Sequence, residues 1–198
     1  MPASGYSIVL PPGWQRIPLR SGTDKAIRGA VRTAFAGLPR DAPPDTVSSH
    51  RLRLERQLAR AARHARDQGG SDMYVPAGPV YQAPVAASFV VSELSLGPAD
   101  PAGVAAMLVA GDDPWQPVTT DGAGGVRVER TAGPSPGEGV EFGSRRVDYI
   151  LPVPGRSGRW LMIAFSTFGA GDPGDRVAEA LTELFDAIMS TFRWGRDH

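Results

Sequence analysis

Five arginines, Arg53, Arg56, Arg60, Arg63 and Arg66, recur at spacings of three and four within a segment of helical periodicity. Guanidinium groups spaced this way share one side of a helix and can bind carboxylates or phosphates. A solvated face, or one paired with acids elsewhere in the chain, is the simpler reading. As a binding surface it suits an acidic protein better than nucleic acid, because the stripe holds no stacking aromatic and the chain as a whole is neutral.

Other motifs carry less. Gly169-Ala170-Gly171-Asp172-Pro173-Gly174 matches G-x-G-x-x-G between a strand and a helix. A dinucleotide site would need a returning parallel strand with a ribose-binding acid. The sequence ends 24 residues later without one, and Asp172 and Asp175 put negative charge where a phosphate would sit. The segment reads instead as the capped start of a helix. His50 and His64 are 14 residues apart, about 21 Å along one helix, so they cannot share a metal ion. With His198 at the end, no zinc site or serine–histidine–acid site is indicated locally. Asp112-Asp113 before Pro114 reads as a helix stop in solvent rather than an acid–base pair. With no cysteine, thiolate chemistry, disulfides and a lipid-anchor cysteine are excluded. Neither a cofactor nor a metal is expected, and no catalytic residue stands out.

The elements that must position these residues are clearer. The 198 residues are 41% apolar and 21% charged, an ordinary globular composition, and one domain is expected over 1–198. Within it, 1–70 holds a first strand (Tyr6–Leu10) and two helices, Thr23–Leu38 and Thr46–Gln68. In the second helix Val47, Leu54, Leu58, Ala61, Ala62 and Ala65 form the apolar stripe and Leu52 falls outside it. Residues 71–198 hold strands around Met73–Pro76, Val85–Leu96 and Val126–Arg130. A short helix runs from Asp100-Pro101 to Val109, and Val147–Val153 and Arg159–Thr167 make a hairpin. A core-facing helix of about five turns starts at Asp172-Pro173. Trp160–Phe165 and Val85–Leu96 are apolar on alternate and intervening positions alike, so both sides of these strands need cover. The expected class is α+β, a mainly antiparallel sheet with helices on both faces.

Net charge is zero but uneven: residues 1–70 carry 12 basic and 5 acidic groups, and residues 71–198 carry 9 and 16. The start lacks a basic, apolar leader pattern, and the longest apolar run, Trp160–Phe165, is far short of a membrane span. A cytoplasmic location without membrane insertion is expected.

Pro-Pro-Gly-Trp at Pro11–Trp14, Ala-Ser-Phe-Val-Val-Ser-Glu at Ala87–Glu93, the turn Val153–Trp160 and Phe185–Trp194 together resemble the PsbP/LpqN-like superfamily. Gly69–Pro76 resembles uncharacterised actinobacterial cytoplasmic proteins associated with type VII (ESX-like) secretion loci. The resemblance implies an antiparallel sheet sandwiched by helices and non-enzymatic binding to other proteins. It carries over no active site, and the chain departs from the LpqN lipoproteins in lacking a signal segment and the anchor cysteine.

Three functional classes follow. The first is a protein-interaction module, an accessory or chaperone-like factor of a secretion system, with the arginine helix as its contact surface. The second is a small-molecule or lipid carrier, and the third an enzyme built on His64 or Asp112-Asp113.

Overall fold

The computed structural model describes residues 3–36, 43–78, 86–108, 114–133, 143–169 and 171–196. Along them run β1 (Ala3–Ser7), β2 (Trp14–Pro18), α1 (Thr23–Ala34), α2 (Pro44–Asp67), β3 (Gly70–Pro76), β4 (Ala87–Ser95) and α3 (Pro101–Leu108). There follow β5 (Trp115–Thr120), β6 (Ala123–Ala132), β7 (Ser144–Pro152), β8 (Arg159–Thr167), α4 (Arg176–Ser190) and β9 (Arg193–Arg196). The protein is mixed α+β with a large antiparallel sheet. It divides into two compact units, Pro11–Val85 and Met1–Leu10 with Ala86–His198. No described helix is long and apolar enough to cross a membrane.

In the Pro11–Val85 unit, β2 and β3 pair antiparallel from Trp14↔Pro76 to Pro18↔Asp72. Gly22, in the left-handed region at φ 74°, turns the chain into α1, a conformation that glycine adopts without strain. Thr23 Oγ1 then donates to Pro18 O at 2.7 Å. Ile27, Ala30 and Val31 bury the inner side of α1. The helix ends at Ala34 rather than Leu38, which lies outside the described residues. On α2, Ala62 and Ala65 are buried and Leu54 and Leu58 half-buried, while Ala61 is exposed. Leu52, which fits no apolar stripe, is 48% exposed.

In the other unit, β4-β8-β7-β6-β5 pair in that order, each antiparallel to its neighbours. The alternation of side chains along the strands separates two sets. Phe89, Phe165 and Tyr149 meet Phe185 of α4, with ring centroids 5.5, 4.8 and 5.7 Å away. Val126, Val128, Ile150 and Trp160 form a second cluster with Val104 and Ala105 of α3. β1 pairs with β9, Ser7 opposite Arg193, so it sits with the C-terminal strands rather than with α1 and α2.

Other sequence expectations change as well. α4 starts at Arg176, not at Asp172-Pro173: Asp175 is its cap and accepts from Ala178 N at 2.6 Å, while Asp172 closes a tight turn by accepting from Gly174 N at 2.8 Å. With 15 residues α4 has about four turns rather than five, and Val177, on its first turn, is 47% exposed. The first strand lies at Ala3–Ser7, earlier than Tyr6–Leu10, because its register is set by β9. Val126–Arg130 is the middle of the longer strand β6, which turns back on β5 through Asp121-Gly122, both at positive φ.

Candidate functional site

Of the five arginines singled out by spacing, all lie on α2 and all are exposed. The structure nevertheless divides them. Arg66 is tied down: its Nε donates to Leu19 O at 2.6 Å and its Nη2 to Thr23 Oγ1 at 3.0 Å. It satisfies the chain as it passes from β2 into α1, and so fixes the C-terminal end of α2 in place. Towards the other end, the Arg51 guanidinium lies 5.4 Å from the Phe35 ring centroid, within cation–π range. Between these two anchors Arg53, Arg56, Arg60 and Arg63 face solvent, and none forms an ion pair with an acid among the described residues.

This surface can bind anions. Arg56 and Arg60, and Arg60 and Arg63, stand four and three residues apart, so like charges are neighbours and weakly destabilise the isolated helix. A carboxylate ligand relieves that repulsion and accepts paired hydrogen bonds from a guanidinium fork. The whole Pro11–Val85 unit carries 12 basic and 6 acidic residues, a net +6, so its own field attracts anionic groups.

His50 and His64 are exposed on α2, His198 lies outside the described residues, and no cluster of three possible metal ligands occurs among those described. Asp112-Asp113 also lies outside the described residues. Gly169 sits at φ 57°, its N–H bonded to Thr167 Oγ1 at 3.1 Å, in the connection to the α4 cap.

A second polar constellation was not singled out from the sequence. Arg127 of β6 donates through Nε and Nη2 to Asp186 of α4 at 3.0 and 2.9 Å, and its Nη1 lies 2.9 Å from Glu129 Oε2. Arg145 Nε donates to Glu129 Oε1 at 2.7 Å, and Tyr149 O–H donates to Asp186 Oδ1 at 2.9 Å. Burial works against the charge on Arg127, yet Asp186 and Glu129 outweigh it and raise its pKa. Burial would raise Glu129 as well, but bonds from Arg127 and Arg145 hold its carboxyl below the ordinary range. Burial and the neighbouring Asp186 charge push the Tyr149 phenol up, so it stays protonated as a donor. This network clamps α4 to β6 and β7.

On the neighbouring strand, buried Asp148 pairs with Arg130. Burial raises its pKa more than the Arg130 and Arg146 charges lower it. Beside Arg130 a cleft of about 480 Å³ is bordered by Trp115, Gln116 and Thr131, and Trp115 is 44% exposed there.

Compared with known proteins, the chain matches no family model, and no curated protein matches it.

Proposed function

We propose that the protein is a non-enzymatic protein-interaction module whose contact surface is the arginine face of α2, and that its partner is acidic. One observation carries this reading: Arg53, Arg56, Arg60 and Arg63 stand exposed on one helix, without acidic partners among the described residues, while Arg51 and Arg66 hold that helix at both sides of them.

The finer proposal is an α/β/α layering of the PsbP/LpqN-like kind and a cytoplasmic accessory role in a type VII (ESX-like) secretion system. The two clusters, Phe185 with Phe165 and Val104 with Val126, Val128 and Ile150, support the layering. The residue resemblance at Pro11–Trp14, Ala87–Glu93 and Phe185–Trp194 supports the role.

The test is affinity purification from the native host with the wild-type chain and with a triple charge reversal, Arg56→Glu, Arg60→Glu and Arg63→Glu. A partner retained by the wild type and lost by the variant is expected. No stable partner, or one indifferent to the reversal, overturns the reading.

A second reading is a small-ligand carrier. The cleft beside the exposed Trp115 favours it. Native mass spectrometry would then show a co-purifying ligand that is lost in Trp115→Ala.

A further inference from the structure

The exposed side of α2 has an internal order. Exposed Leu52, Arg56 and Arg63, with half-buried Ala59 among them, recur at spacings of four, three and four. This is the seven-residue repeat by which one helix keeps a single stripe against another. Arg53 and Arg60 occupy the matching flanking position, one residue after Leu52 and one after Ala59. Leu54, Leu58 and Ala65 fall on the side that packs within the unit, half-buried or buried, and Ala59, also half-buried, borders it. The helix therefore has two organised faces. One is already used, and on the other Leu52 is an exposed apolar residue set among arginines.

We infer that this outer seam docks an acidic amphipathic helix of a partner protein. The inference rests on the protein-contact reading of α2 and adds the form of the partner. An apolar side chain of the partner would sit on Leu52, with the small, half-buried Ala59 at the border of the contact. Carboxylates on either side of it would meet Arg53, Arg56, Arg60 and Arg63. Charge complementarity selects the acidic partner: four guanidinium groups crowd one face, and none of them is ion-paired with an acid among the described residues. Leu52 selects a helix over a nucleic-acid backbone, since a phosphate ladder gains nothing from a leucine at the centre of its contact. Arg66 lies on the same seam but is held by Leu19 and Thr23, so the docking stretch runs from Leu52 to Arg63.

The experiment uses the full chain and two synthetic peptides of three heptads each. One has leucine at its core positions and glutamate at the flanks; the other is a scramble of identical composition. A duplex DNA of random sequence is the third probe. Binding is read by fluorescence anisotropy and peptide helicity by circular dichroism, with Leu52→Gln and Arg56→Glu/Arg60→Glu as variants. Leu52 is exposed, so Leu52→Gln keeps the fold, which its own spectrum verifies. The patterned peptide is expected to gain helix on binding and to bind about tenfold more tightly than the scramble. Leu52→Gln removes that difference and the double reversal removes binding. Equal binding of both peptides, unchanged in Leu52→Gln, overturns the helical seam while leaving the acidic-partner reading intact. Failure of both peptides overturns both readings. DNA binding that exceeds the patterned peptide and ignores Leu52 overturns the seam in favour of a phosphate surface.

Discussion

Arg127 on β6 and Asp186 on α4 form a two-point pair, guanidinium to carboxylate, at 3.0 and 2.9 Å. The Arg127 side chain is 10% exposed and that of Asp186 37%, so the two ends of the pair are unequal. Removing the acid takes the two-point partner from a buried cation and leaves it Glu129; removing the arginine leaves an acid that still reaches water and Tyr149. Asp186→Ala should therefore cost about 2–3 kcal/mol, below the 3–5 typical of a fully buried pair, and Arg127→Met clearly less. Urea denaturation of both variants measures the order; a larger loss for Arg127→Met would contradict it.

The arginines of α2 should separate in the same kind of measurement. Arg66→Ala leaves Leu19 O and Thr23 Oγ1 without their donor and should lower stability by about 1–2 kcal/mol. Arg56→Ala touches nothing comparable and should change it by less than about 0.5 kcal/mol. Partner binding should show the reverse pattern, sensitive to Arg56 and much less to Arg66.

Glu129 and Asp148 should give opposite pH signatures. The Glu129 carboxyl is held below its ordinary value. Its ionised form therefore stabilises the fold above the unfolded pKa, about 4.3, and that contribution is lost as pH falls through the lower folded value. Asp148 is raised by burial. The folded state then holds its proton longer than the unfolded chain, so stability falls as pH rises from about 3.9 through the raised folded value. Stability relative to Glu129→Gln should thus grow with pH in the acid range, and stability relative to Asp148→Asn should shrink. Thermal melts from pH 3 to 7 (about four units around the carboxylate range) reveal the two slopes, and slopes of the same sign would refute the assignment.

Gly125 should tolerate no side chain. A Cβ there would lie 2.5 Å from Ile150 O and 2.7 Å from Leu151 Cδ2, where β6 passes β7. Gly125→Ala should cost at least about 1–3 kcal/mol. Gly124→Ala, with open space around its Cβ, is the control and should fold nearly as well as the parent.

Much of this arrangement could be read from the residues. Leu181, Phe185 and Ile188 repeat with helical period, and Val147–Val153 and Arg159–Thr167 flank an obvious turn; both came out as helix and hairpin. β5 gave no such signal. Trp115–Thr120 is a mostly exposed edge strand containing Pro117, so it lacks the alternation that marks a half-buried strand. β9 exists only because β1 pairs with it from the far end of the sequence. The Arg127–Asp186 pair joins residues 59 apart, and Val126–Arg130 alone reads as a half-exposed strand. Arg66 had a faint signature. At about 100° per residue it lies some 40° from buried Ala62, nearer the apolar stripe than Arg53, Arg56, Arg60 or Arg63.

The β1–β9 ladder has a bearing on how the polypeptide emerges during synthesis. Ser7 leaves the ribosome early, yet its mate Arg193 follows only after every other element has been made. The Pro11–Val85 unit is continuous and can mature while the nascent strand ahead of it is still waiting. The two-stranded ladder then acts as a late latch, closing the other unit once its last helix, α4, has been translated.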